Sequence, residues 1–263
     1  MTSSLPFADH APFALLVAAR FGGLAVYAPI VSSRAIPARM RTAIVVAVAL
    51  AATPLLAARG VVGPDVGWSL ALVAAVLAEL LIGLLIGFLA GLPLAAAHMG
   101  GLVGGQQMGF GFASLYGAGP ESETDALARF LFLVAIAGFL VMGGHEALLL
   151  AVLHSYEHLP PGATISGAHV VEVLGGTMLA AFELALRVAA PVLALGLIQS
   201  LSIGLLARTA PQMNILSLGF PIRLLAGILA VAVSVIVLDD VLVGGIDVAL
   251  AGIMDWLEGV GHA

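Results

Sequence analysis

About six long apolar stretches organise this chain: Phe13–Val31, Thr42–Ala58, Trp68–Leu92, Ala126–Leu153, Val170–Leu206 and Leu224–Val243. A helix needs ~20 residues to cross the hydrocarbon core of a bilayer, so the pattern predicts about six hydrophobic helical regions. Pro and Gly mark the breaks between them, at Ile36-Pro37, Gly63-Pro64, Gly119-Pro120 and Pro160-Pro161-Gly162, where they punctuate regular structure. A further apolar tail, Ile246–Leu257, carries Asp247 and Asp255 with Glu258 just beyond, and reads as amphipathic. Two features depart from a plain six-span pattern. The fifth stretch runs to roughly 37 residues, or about 55 Å as a helix, and Pro191 is expected to kink or divide it. Residues 93–125 are Gly-rich and semi-polar, too apolar for an ordinary loop and too broken for a span.

Composition sharpens this picture. Hydrophobic residues make up 62% of the chain, charged residues 9%, and the mean hydropathy is +1.17, whereas soluble domains carry roughly 25% charged residues. The expected fold is an all-α integral membrane protein forming a single membrane domain over residues 1–263, with no attached soluble enzyme domain. Cysteine is absent, which removes disulfides, thiolate nucleophiles and zinc–sulfur sites. All 9 cations are arginine, so a Walker lysine or a Schiff-base lysine is excluded as well. No Lys or Arg precedes Arg20, so the basic region of a secretory signal is missing and Phe13–Val31 reads as a retained first span. Arg34, Arg39 and Arg41 fall in the first loop and Arg208 and Arg223 flank the fifth. By the positive-inside rule the odd-numbered loops face the cytoplasm. The acidic run Glu121–Asp125 reads as a solvated helix start.

Candidate chemistry is sparse. Gly83, Gly87 and Gly91, continued by Ala95, form a small-residue stripe along one helix face, suited to close approach of another backbone from this chain or another. Among the charges within apolar stretches, Glu79, Arg129, Glu183 and Arg187 are the candidates singled out, the last two at i, i+4 spacing. Each costs roughly 2.5–3.5 kcal/mol at a helix centre, so they serve either an ion relay or pairing that fixes assembly, and pairing is the simpler reading. His154 and His158, with Glu157 between, have metal-ligand spacing on a helix, but the Pro160-Pro161 that follows favours a helix end, and no metal or other cofactor is expected. The segment Gly104–Gly117 combines dense glycine, which should avoid a regular helix, with Gln106, Gln107, Met108, Phe110, Phe112, Leu115 and Tyr116. It is either a re-entrant loop of about residues 104–120, tolerated at membrane depth within protein or along a cavity, or a plain connector.

The most distinctive stretch is 208–223: Arg208-Thr209-Ala210-Pro211-Gln212-Met213-Asn214-Ile215-Leu216-Ser217-Leu218-Gly219-Phe220-Pro221-Ile222-Arg223. It reads as a polar break between apolar runs, because Pro211 and Pro221 lack a donor N–H and the amides of Gln212 and Asn214 require hydrogen bonds at membrane depth. This stretch resembles the signature of the FliR/SctT family, and Met213 with Gly219-Phe220-Pro221 lies nearer its flagellar branch than its injectisome branch. Gln107-Met108-Gly109 with Phe110 and Phe112, and Gly144-His145 with Ser155-Tyr156 and Leu159-Pro160, are similar to further family patterns.

The resemblance implies a subunit of the flagellar type III export gate in the bacterial inner membrane, at the flagellar basal body. The implied architecture is a helical hetero-oligomer of kinked hairpins assembled with FliP and FliQ. Working alongside FlhB and FlhA-like components, in contact with membrane lipid and not nucleic acid, it would pass unfolded flagellar proteins. It implies that the loop at Gln106–Tyr116 plugs the lumen and that Arg208, Pro211, Gln212, Asn214, Gly219 and Pro221 serve assembly. An injectisome homologue and a stand-alone secondary transporter using Glu79, Glu183 and Arg187 are the rival readings, and no enzymatic activity is expected.

Overall fold

The structure, a computed structural model, describes residues 11–32, 36–61, 63, 69–107, 126–163, 167–209 and 215–261. The regular elements among them are α-helices: α1 (Ala11–Tyr27), α2 (Ala38–Ala58), α3 (Leu70–Gln107), α4 (Ala126–Val141), α5 (Gly144–His158), α6 (Gly167–Thr209) and α7 (Ile215–Gly261). The all-α class expected from the apolar pattern is the class observed. Three helices among the described residues, Ala38–Ala58, Leu70–Gln107 and Val170–Thr209, are long and apolar enough to cross a membrane, and a fourth span results if α4 and α5 count as one. Ala11–Tyr27 and Leu225–Val237 are shorter apolar helices.

Local signals set several ends. The Pro37 carbonyl accepts the Met40 and Arg41 N–H groups at 3.0 and 3.1 Å and so opens α2. Gly60 closes it at φ +80°, with its N–H on the Ala57 carbonyl and the Val61 N–H on that of Leu56. That pair of bonds is a Schellman motif, which needs a left-handed residue and so favours glycine. Gly143, at φ +74°, separates α4 from α5.

The other expected breaks do not interrupt the helices. Helix α3 continues through Pro93 for 38 residues, so the third apolar stretch does not stop at Leu92 and Gly104-Gly105-Gln106-Gln107 is helical. Helix α6 runs 43 residues through Pro191 without division. Helix α7 runs 47 residues through Pro221, merging the sixth stretch with the tail and placing Ile215–Arg223 in a helix rather than a break. The common cause is the environment. Away from water an unpaired backbone group is so costly that a helix continues past proline or glycine, with its neighbours satisfying the freed groups.

The residues divide into two compact units, the first comprising 1–92, 143–178 and 247–263 and the second 93–142 and 179–246. Within the first unit α1 packs against the N-terminal half of α3, around Leu16, Val17, Ile82 and Ile86, which have no exposed surface. Glycine sets that distance: a Cβ on Gly23 would overlap the Leu80 carbonyl oxygen, and one on Gly83 the Arg20 carbonyl oxygen. Within the second unit, glycines of α3 play the same part. A Cβ on Gly101 would lie 2.6 Å from Ala128 Cα of α4, and one on Gly100 would lie 2.8 Å from Val188 Cβ of α6. Dense glycine at 100–105 is therefore a packing surface on a helix, where its small size outweighs its low helix propensity. Ser234 Oγ adds a buried polar link by donating to the Val188 carbonyl at 3.1 Å.

Adjacent glycines on α1 test this account. A Cβ added at Gly22 would meet nothing within 4 Å, whereas one at Gly23 would strike backbone. Gly22→Ala should be neutral or stabilise by up to about 1 kcal/mol through helix propensity. Gly23→Ala and Gly83→Ala should each destabilise by about 1–3 kcal/mol, read as the thermal unfolding midpoint of the detergent-solubilised protein.

Candidate functional site

The first unit holds a charged centre with no access to solvent. Arg20 on α1 and Glu79 on α3 are both fully buried, and they pair through two parallel bonds, Nε to Oε2 at 2.6 Å and Nη2 to Oε1 at 3.1 Å. Such bidentate geometry is the strong form of the arginine–carboxylate contact. Their other hydrogen-bonding capacity is spent on α5 and the turn after it. Arg20 Nη1 donates to Ser155 Oγ at 2.7 Å and Nη2 to the Leu159 carbonyl at 2.9 Å. The guanidinium carbon lies 3.8 Å over the centre of the Tyr156 ring, within the range of a cation–π contact.

A turn completes the arrangement. Ala163 N–H bonds the Pro160 carbonyl at 3.0 Å, and Gly162 stands at φ +84°. Proline at the second position and glycine with positive φ at the third define a type II turn. This conformation directs the Gly162 N–H to Glu79 Oε1 at 3.0 Å. Pro160-Pro161-Gly162, read from sequence as a turn, thus supplies a donor to a buried carboxylate. Ser155, Tyr156 and Leu159, read as scaffold, surround its arginine.

Arg20 itself is the functional residue that sequence reasoning missed. Its signal was available: it is the charge inside the first apolar stretch, opposite in sign to Glu79 in the third. Gly83 lies one helical turn beyond Glu79, so a single face of α3 meets both the side chain and the carbonyl of Arg20. The partner of the glycine stripe is therefore this chain's own α1. Gly87 would place a Cβ 2.6 Å from the Leu24 carbonyl and Gly91 one 3.4 Å from that of Tyr27.

The remaining charges expected to be buried are not buried in this chain. Glu183 and Arg187 pair at 2.6 Å as their spacing predicted, but their side chains are 62% and 63% exposed, and Arg129 on α4 is exposed too. They lie on helix faces turned away from the chain's own core. Arg59 and His154 both approach Glu157, at 3.4 and 3.2 Å, on the surface. The His158 ring lies against the His154 carbonyl at 3.4 Å, and among the described residues no cluster of three metal-ligating side chains forms.

Gln106 is exposed and Gln107 half-buried in the last turn of α3, while Met108, Phe110, Phe112, Leu115 and Tyr116 lie outside the described residues. Arg208 is exposed in the last turn of α6, and Gly219 and Pro221 fall within α7, with Ile203 Cδ1 at 3.5 Å from a Cβ placed on Gly219. Pro211, Gln212 and Asn214 lie outside the described residues. No described feature gathers the signature residues into one site.

Apolar helices of spanning length and beyond, glycine-mediated packing and a saturated ion pair define the class: an all-α integral membrane protein with a buried charged centre that ties helices together. Residues 11–247 match the family described as Bacterial export proteins, family 1. The chain belongs to that family, and the FliR likeness of its motifs is matched by its relatives. It is 32% identical over 203 residues to the flagellar biosynthetic protein FliR of Escherichia coli (strain K12), covering 76% of each chain. It is 28% identical over 221 residues to that of Caulobacter vibrioides, covering 84% of this chain and 87% of the relative. To that of Pectobacterium carotovorum it is 36% identical over 137 residues, 51% of each. The chain is thus of the flagellar export apparatus type.

Removing one partner of the buried pair should be far worse than removing both. Arg20→Met or Glu79→Leu alone is expected to cost about 3–5 kcal/mol, because it strands a charge, whereas the double substitution should recover most of that loss. Tyr156→Phe removes a buried hydroxyl that has no partner and should be neutral or mildly stabilising. Urea or thermal unfolding of the purified variants reads all four.

Proposed function

We propose that this chain is a subunit of the flagellar type III protein-export gate, assembled with FliP- and FliQ-type subunits in the inner membrane, and that unfolded flagellar proteins pass through the channel it helps to form. The observation that carries this reading is the combination of family membership over residues 11–247 with helices far longer than a bilayer. Helices α3, α6 and α7, of 38, 43 and 47 residues, extend to about 57, 65 and 70 Å at ~1.5 Å per residue. The hydrocarbon core is only about 30 Å thick, so these helices suit an assembly raised partly out of the membrane plane.

The surface left by the chain's own packing supports the same reading. Leu186, Leu197, Ile198, Leu201 and Leu205 of α6 are each at least 60% exposed, along a helix too long to be covered by lipid alone. In the gate this face packs on neighbouring subunits, with Glu183 and Arg187 neutralising each other at the contact. FlhB and FlhA-like components supply further contacts. The signature residues Arg208, Pro211, Gln212, Asn214, Gly219 and Pro221 secure assembly. Residues 108–116, with their phenylalanines, tyrosine and glycines, close the lumen until substrate displaces them. The gate is passive, with energy supplied by other components.

Two measurements check this reading. Affinity purification of the chain in mild detergent should recover FliP- and FliQ-type subunits in stoichiometric amounts by mass spectrometry, and Asn214→Ala should reduce that recovery at unchanged membrane insertion. Deleting 108–116 should make the assembled gate leak small ions. A chain that purifies alone and moves a small solute in liposomes would instead be a secondary transporter, and injectisome-type partners would move it to the other branch.

A further inference from the structure

We infer that the second unit contains a built-in site for one ordered water, held between Gln199 of α6 and Gln107 in the last turn of α3. Both side chains line one small cavity, together with Gly196, Gly227 and Ala230. Gln199 is only 8% exposed, and its Nε2 is buried with no hydrogen-bond partner. A buried amide donor without a partner is rare in folded proteins and is commonly satisfied by internal water.

Size selects the occupant. The water-accessible space there is about 10 Å³, and a single water needs about 10–15 Å³ of such space, so the site suits one water. Its other walls, Val192, Leu195, Gly196, Ala226, Gly227 and Ala230, offer no polar side chain, which leaves the two carboxamides as the side-chain partners. Water both donates and accepts, so it can join two amides whatever their relative orientation.

Gly196 is part of the construction. A Cβ there would lie 2.5 Å from Gln107 Cγ and 2.8 Å from its Nε2. Glycine at 196 is thus what lets the Gln107 side chain lie over α6 beside the cavity. The water then ties the end of α3 to α6 through a residue whose own amide would otherwise meet an apolar wall. Resting on the gate reading above, this makes Gln107 an anchor at the end of α3, just before the segment proposed as the stopper, rather than part of the stopper itself.

The sign of one substitution decides the matter. In the purified assembled complex, Gln199→Leu should lower the thermal midpoint and speed hydrogen exchange over residues 100–107 several-fold, because it leaves Gln107 without its bridge. A dry site gives the opposite result, since leucine would relieve an orphaned donor: a raised midpoint with unchanged exchange overturns the inference. Gly196→Ala provides a second variant that keeps both amides but displaces Gln107, and it too should accelerate exchange there. A high-resolution map of the complex should show an isolated peak about 3 Å from both amides; density continuous with a chain carbonyl in that place also overturns it. Should deletion of 108–116 leave the gate sealed, the plug reading fails alone, because the midpoint and exchange tests do not depend on it.

Discussion

The buried pairing of Arg20 with Glu79 constrains the first unit more than any other interaction. Two charges removed from water lose several kcal/mol each in solvation, which their mutual attraction offsets only with good geometry and further hydrogen bonds. The observed geometry meets both conditions, with four hydrogen bonds from the guanidinium and a main-chain donor on the carboxylate. Three segments distant in sequence must be in place at once: α1, α3, and α5 with the turn that follows it. The glycines follow from this requirement. Arg20 can lie along α3 only if its own carbonyl fits against Gly83, so the small-residue stripe and the ion pair are two halves of one contact. The positive φ of Gly162 is a third dependency, because it turns the N–H that Glu79 needs.

Much of the architecture was legible in sequence, and the losses have a common origin. Apolar run lengths and the scarcity of charge sufficed for an all-α membrane protein. The stripe at Gly83, Gly87 and Gly91 announced close packing, and the Glu183–Arg187 spacing announced its pair. Helix ends were misjudged at Pro93 and Pro221, and at Gly104, because the punctuation value of these residues is calibrated in water, while Pro191, expected to kink or divide the fifth stretch, does not divide it. In hydrocarbon the alternative to helix is unpaired backbone, so the helix persists. The charged centre was half visible. Glu79 stood out, but its partner lies 59 residues away, and nothing in periodicity links them. The other contributors act through a hydroxyl, a carbonyl and a peptide N–H. Main-chain groups occur at nearly every residue, so their roles leave no mark in composition.

The two arginine–glutamate pairs show how burial changes the meaning of one chemistry. An exposed i, i+4 pair such as Glu183–Arg187 contributes about 0.3–0.5 kcal/mol in water, so its presence says little about the stability of the isolated chain. At membrane depth the same pair answers a different need, since each member alone would be costly there. Arg20–Glu79 already has its full complement of partners within the chain and asks nothing of a neighbour. Among the described residues Glu183 and Arg187 satisfy each other, and their exposed side chains leave them available to another surface.

This contrast also bears on transport by the chain alone. A proton or ion relay needs a group that can change its charge or its partner along a wetted path. Glu79 is held by both guanidinium bonds and by the Gly162 N–H, so a change of partner would leave Arg20 buried without its counter-ion. Glu183 is accessible, but it is held at 2.6 Å by an arginine of its own helix, and among the described residues no second carboxylate is paired with it. A saturated centre is suited to holding helices at fixed separation. The Arg20–Glu79 pair is therefore a joint between α1, α3 and α5.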